Sequence, residues 1–244
     1  MAVMARDAHS SSSKLPRPRP DEAPGSVWLR GAAPARARRT LSREAIVIEA
    51  VALLDEQGID RLTMRRLAER LNVTSTALYW HVNTKEDVLD LAFDHIFGSV
   101  EIPPLTDDWH SAVRTLLRRW RAAMLAHPWA TTLVDRPMLG PNALARTEFL
   151  YAVLAGTGLT GTDLTATAQL LANYVIGTAA VESTWHRSQA DPKQQSLARR
   201  RITDDEERYP TLHKAGHLDE QQASADELFE HNLGKLITCV ITSQ

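Results

Sequence analysis

Residues 75–81 read Ser-Thr-Ala-Leu-Tyr-Trp-His, and a cation follows at Lys85. The hydroxyls of Ser75 and Thr76 can meet base edges or phosphates, and Tyr79 and His81 carry polar tips on flat bodies. Leu78 is suited to point inward as an anchor. Lys85 opens the next helical stretch, where an ammonium beside unpaired helix N–H groups suits a phosphate. This chemistry recognises duplex DNA and makes no bonds. Tyr79 and Trp80 also admit a plain core role, because a large indole usually buries most of its surface. Polar groups at Ser75, Thr76 and His81 beside a basic flank have no such core reading. Elsewhere reactive groups are sparse. The single cysteine, Cys239, sits in an apolar terminal stretch and reads as packing. His213 and His217 could share one helix face as metal ligands do, but they lie in a polar stretch and read as a solvated pair. No nucleophile elbow, phosphate loop, zinc pattern or dinucleotide fingerprint is present, which leaves a helical enzyme as a distant alternative.

These residues need a helix to present them and a second to brace it. Ser42 can cap a first helix with an apolar stripe of Ile46, Ala50, Leu53 and Leu54, ended by Gly58. Thr63 caps a short helix through Leu67 to Leu71. Asn72–Val73 make a tight turn, and Thr74 caps a helix over 75–81. Thr84 with Asp87 forms a capping box for a fourth helix through Leu89, Phe93 and Phe97 to Gly98. Pro103–Pro104 mark a boundary. Asp107 or Asp108 then starts a helix whose apolar face is Trp109, Val113, Leu116, Leu117, Trp120 and Met124, with Arg114, Arg118 and Arg121 off that face as solvated surface. A short helix ends near Val134, before Arg136–Pro137. Further helices are expected over 142–155 and from Thr162 or Asp163 to Trp185. Residues 187–222 are polar and read as a long loop with some helix. Ser224 with Glu227 is a capping box for a last helix striped by Phe229, Leu233, Leu236, Ile237, Val240 and Ile241. No alternating strand pattern appears, so the expected fold is all-α.

Composition fits this organisation. The hydrophobic share is 43% and the charged share 24%, ordinary for a globular chain. Residues 1–40 hold eight Lys or Arg against three acids and few large apolar groups. They read as a flexible basic arm, either inert or able to bring Arg36, Arg38 and Arg39 to DNA. The expected divisions are this arm, a helix-turn-helix domain over 41–98, and a larger helical domain over 99–244. The net charge of −2 argues against unspecific coating of nucleic acid. The apolar stretch from Leu170 to Val181 is too short to span a bilayer. A lone thiol and no signal-peptide core point to a reducing cytoplasm.

The stretch from Leu41 to Phe97 resembles the DNA-binding domain of TetR-type repressors. The resemblance rests on Ala50, Leu53–Leu54, Gly58, Leu62–Thr63, Arg65, Leu67–Ala68, Leu71, Val73, Ala77 to Val82, Lys85 and Leu89. Leu78 to Val82 with Lys85 is close to the tetracycline-repressor branch. A weaker likeness continues through Asp135–Arg136–Pro137, Asn173–Gly177 and Phe229–Ile237. The resemblance implies that Arg65 contacts a base or phosphate. It implies that Ser75, Thr76 and Tyr79 read DNA, and that Trp80, His81 and Lys85 support the helix and anchor phosphates. Met64 replaces a DNA-touching hydroxyl of that branch and Thr76 replaces its proline, so the operator differs.

The resemblance also implies a homodimer and a small-molecule effector in the larger domain. Thr132 and Glu101 stand where the tetracycline branch has histidines for the drug and its magnesium, which argues against that ligand. The remaining pocket candidates are Leu116, Trp120, Thr132, Arg136, Glu148, Asn173 and Tyr174; no cofactor or metal is expected. The expectation is a repressor of double-stranded operator DNA released by an effector. A DNA-binding activator or ligand-independent architectural protein shares the first domain and differs only in its response to ligand.

Overall fold

The computed structural model describes residues 24–25, 28, 41–106, 108–188, 192–216 and 224–242. All regular structure among them is helical. Helix α1, Arg43–Gln57, starts where the Ser42 hydroxyl accepts from the Ala45 N–H. It buries Ile46, Val47, Ala50, Leu53 and Leu54 and stops at Gly58, whose φ of +75° needs a residue without Cβ. After a 3-10 turn, Ile59–Arg61, comes α2, Met64–Arg70, capped by Thr63. Asn72 takes φ +52°, which closes the turn into α3, Ser75–Leu78, capped by Thr74. The sequence predicts that helix over 75–81. The α-helix is shorter, and the chain turns tightly through Tyr79–His81 with the Leu78 carbonyl accepting from His81 and Val82.

Helix α4, Lys85–Gly98, opens on the expected box. Thr84 accepts from the Asp87 N–H at 3.0 Å, and Asp87 accepts from the Asn83 N–H at 2.9 Å. Helix α5, Trp109–Ala126, is capped by Asp108. A 3-10 turn at Pro128–Thr132 replaces the short helix read from the sequence. Then follow α6, Pro141–Gly156, and α7, Gly161–Ser188. The stretch read as a long loop with some helix holds two helices: α8 spans Pro192–Thr203 and α9 spans Pro210–Lys214. Both begin with proline, whose fixed φ and missing N–H cost nothing at a first helical position. Helix α10, Ala225–Thr242, opens on Ser224 and Glu227, which bond each other's N–H.

Helix α4 packs on α1 at one side and on α5 and α6 at the other, so it joins the short N-terminal helices to the long ones. In the larger group α5 packs chiefly on α7, and α10 lies along α7. Arg121 is not solvated surface as expected. It pairs with Glu182 of α7 in a largely buried bridge, reaches Asp226 at 2.7 Å, and lies over the Phe229 ring at 4.7 Å. Burial alone would lower its pKa, but hydrogen bonds to Glu182 and Asp226 outweigh that and raise it. Arg118 likewise pairs with Glu230.

One further expectation needs correction. Cys239 is exposed rather than packed. The segment Gly161–Thr184 has a mean hydropathy of 1.2, enough by length and composition to cross a membrane. Its buried Glu182 is held by Arg121 of α5, which marks a helix of a folded helical core. Within the N-terminal arm, Gly25 is buried and Trp28 is half-buried against α4. Apart from Pro24, the rest of residues 1–40 lies outside the described residues, as do His217 and the side chains of Trp185, Val240 and Ile241.

Candidate nucleic-acid interface

The reading segment is built on one fixed point. Leu78 is fully buried, while Tyr79 is 49% exposed and Trp80 80% exposed. The core role open to Trp80 is therefore excluded, and its indole stands free on the surface. Thr76 is exposed and Ser75 half-buried beside it. His81 is half-buried, and its carbonyl accepts from Arg43 Nη2 at 3.1 Å, which ties the start of α1 to the end of the reading segment. Lys85 donates from Nζ to the Ile59 carbonyl at 3.0 Å, bracing α4 against the turn before α2. An ammonium has three donors, so this bond leaves capacity for a phosphate. Arg65 projects from α2 and pairs with Glu69 on its own helix, both side chains largely exposed. The seven DNA candidates thus fall on or beside α2, α3 and the start of α4.

The effector candidates do not converge in the same way. Leu116 and Trp120 are buried in the core of α5, and Trp120 meets Phe97 edge-to-face at 5.3 Å. Tyr174 is half-buried and donates to the Phe229 carbonyl at 3.1 Å; burial raises its phenol pKa. Thr132, Glu148 and Asn173 are exposed, whereas Leu116 and Trp120 are buried. Arg136 is committed to α4: its guanidinium pairs with Glu86 and donates to Asp90 Oδ1 at 2.8 Å. Burial pushes its pKa below the usual arginine range. The Trp120 indole N–H and the Ser183 hydroxyl are both buried and have no hydrogen-bond partner among the described residues.

Sequence reasoning missed the row of carboxylates on α4. Glu86, Asp90 and Asp94 recur at helical spacing on one face, and the two aspartates are buried. Asp90 holds Arg136, and Asp94 accepts from the Ala143 N–H at 2.9 Å and the Asn142 side chain at 3.0 Å. Asp94 thereby caps α6 from a different helix, since Gly140 supplies no side chain. A carboxylate every fourth position within an apolar helix was a visible signal. A second link joins α1 to the 3-10 turn: Trp129 Nε1 donates to Asp55 Oδ1 at 2.6 Å, and His127 Nδ1 approaches the same oxygen at 2.8 Å. The short N-terminal helices are therefore bound to the long ones through α4 and through Asp55. The His213 of the proposed solvated pair is exposed and lies 3.4 Å from Glu206.

Two family models match the chain. Residues 46–92 match "Bacterial regulatory proteins, tetR family", and residues 102–242 match "Tetracyclin repressor-like, C-terminal domain". An HTH-type transcriptional regulator of Saccharopolyspora erythraea is 43% identical over 192 residues, covering 78% of this chain and 81% of that protein. The crystal structure of ActR, a TetR family protein of Streptomyces coelicolor, in complex with actinorhodin superposes with a TM-score of 0.74 at 28% identity, over 83% of this chain and 98% of that one. BioQ with its double-stranded DNA operator gives a TM-score of 0.53 at 32% identity, over 59% of this chain and 88% of that one.

Proposed function

The chain belongs to the TetR family of DNA-binding transcriptional regulators, and from that premise we propose that it represses its target genes as a homodimer until a small organic effector releases it. The observation that carries DNA reading is the contrast at α3, where a fully buried Leu78 holds an exposed Tyr79 and Trp80 outward beside Thr76. A surface that hid its aromatics would have no such contrast. Arg65, Ser75, Thr76, Tyr79, Trp80, His81 and Lys85 form the contact surface of a reading head over 41–98, while 99–244 carries dimerisation and effector response. The test is selection of duplex from the fragmented genome of the source organism, followed by titration of what is retained. Retention of no preferred sequence would sink the proposal.

Effector binding rests on a different observation. Trp120 presents a buried, unpartnered N–H in the core of the larger helical group. Such a donor costs free energy unless an acceptor meets it, and a ligand carbonyl or quinone oxygen is one. ActR, whose fold this chain shares, is solved in complex with actinorhodin, so that is the first compound to titrate. The tetracycline–magnesium pair fits poorly. Thr132 is exposed and supplies no imidazole, and Glu101 is engaged with Arg119 at 3.0 Å. An activator or a ligand-independent architectural protein would use the same reading head. It would show equal DNA affinity with and without ligand.

A further inference from the structure

The N-terminal arm is tethered at one place, and that place is the joint between reading head and core. Gly25 donates its N–H to Asp90 Oδ2 at 2.6 Å in a buried bond. The other oxygen of Asp90 accepts from Arg136. One carboxylate of α4 thus holds both the arm and the Arg136–Pro137 loop. Gly25 has φ +79°, and a Cβ there would lie 3.2 Å from the Pro137 ring, so glycine is required by backbone and by space. The Trp28 N–H donates to the Gly25 carbonyl at 3.2 Å. Trp28 packs against the core and lines a small cleft with Phe93, Pro137, Met138 and Ala143. Trp28 is a large aromatic in a stretch otherwise rich in proline, serine and arginine, and burying it there gives the arm an apolar foothold.

We infer that Gly25–Trp28 is an intramolecular strap that clamps the Arg136–Pro137 loop onto α4. Any movement of that loop away from α4 must break the strap or carry it along. The strap itself stands on contacts within the chain. Its regulatory meaning rests on the release reading above, in which that loop moves.

The experiment is hydrogen–deuterium exchange on the full chain, for wild type, Trp28→Ala and Gly25→Val. Both variants should exchange about tenfold faster over residues 133–140, because opening there becomes easier. Residues 63–82 should be unchanged, which shows that the reading head remains folded. Gly25→Val reaches the same result through the backbone and Pro137, independently of the indole. Wild-type exchange over 133–140 in both variants would overturn the strap. Titrating DNA with and without actinorhodin on the same proteins separates the two ideas. Loss of ligand response in wild type refutes release by that compound and leaves the exchange result standing.

Discussion

Tyr79 and Trp80 project from a stretch whose neighbour Leu78 is fully buried, so one short segment is both anchor and probe. Tyr79→Ala removes a reading group without touching the anchor. It should cost about 1–3 kcal/mol of discrimination between operator and random duplex. Lys85→Ala should weaken binding to all duplexes evenly and lower the salt slope by about one, since one phosphate contact goes. It also removes the bond to the Ile59 carbonyl, so its melting temperature should fall slightly while that of Tyr79→Ala does not. Titrations on both duplexes at several salt concentrations check this, and wild-type isotherms for both variants would refute the assignment. Single residues were legible in the sequence where their partners are local. Ser42, Thr63, Thr74, Thr84 and Ser224 all cap the helices expected of them, because a cap bonds only a few residues ahead. The bonds of Arg136 to Glu86 and Asp90 are not legible in the same way, since those partners lie 50 and 46 residues upstream. Periodicity carries no information on such a pairing.

Helix α4 gathers most of the long-range polar bonds at the joint. Its Asp94 carboxylate lies so close to Gly140 that a Cβ there would come within 2.1 Å of Oδ1. Gly140→Ala should therefore displace Asp94 from the start of α6 and cost about 1–3 kcal/mol, as overpacking does. A urea midpoint equal to wild type would show that the cap tolerates the shift. Helix α10 depends on charge in another way. The Arg118 guanidinium beside Glu230 holds its carboxyl below the usual glutamate range. A depressed carboxylate pKa gives stability that is present above the unfolded value, near about 4.3, and lost as pH falls through the folded value. The docking of α10 should accordingly weaken only in acid, and Glu230→Gln should flatten that limb. Superimposable acid limbs in urea titrations would show that the pair contributes nothing. At this scale the apolar pattern gives no helix bounds over 192–214, where the described side chains of α8 and α9 are nearly all exposed. Pro192 and Pro210 were the usable signs of their starts.

At the level of the whole molecule, α7 leaves much of its apolar surface uncovered by its own chain. Leu170 and Val181 are 49% and 67% exposed, and a Cβ added at Gly177 would meet nothing within 4 Å. The small residues of α7 and α10 differ here: Ala179 is buried within the chain, Ala180 is half-buried and Gly234 faces Arg114, while Gly177 remains open. A second copy seated on this face would double the DNA site, with half-sites spaced at multiples of roughly 34–36 Å. Val181→Glu should give a monomer by light scattering that keeps its helix content and loses operator affinity. A dimer unaffected by it would place the interface elsewhere. The spacing between the two reading heads is what an effector would then alter, acting through Arg136, the carboxylates of α4 and the Asp55–Trp129 bond. Such coupling is typically about 1–3 kcal/mol and reciprocal, so operator must weaken effector binding by the factor by which effector weakens operator binding. Trp120 is the residue to vary, and Trp120→Phe is preferable to Trp120→Ala. Truncating a fully buried indole would cost about 3–5 kcal/mol and confound folding with function. Phenylalanine keeps an aromatic ring against Phe97 and deletes only the unpartnered N–H and the larger ring. Trp120→Phe should bind operator like wild type, yet need several-fold more actinorhodin for release, since a hydrogen bond to a ligand acceptor is lost. Equal release curves for a responsive wild type and for Trp120→Phe would make that indole a core residue and nothing more.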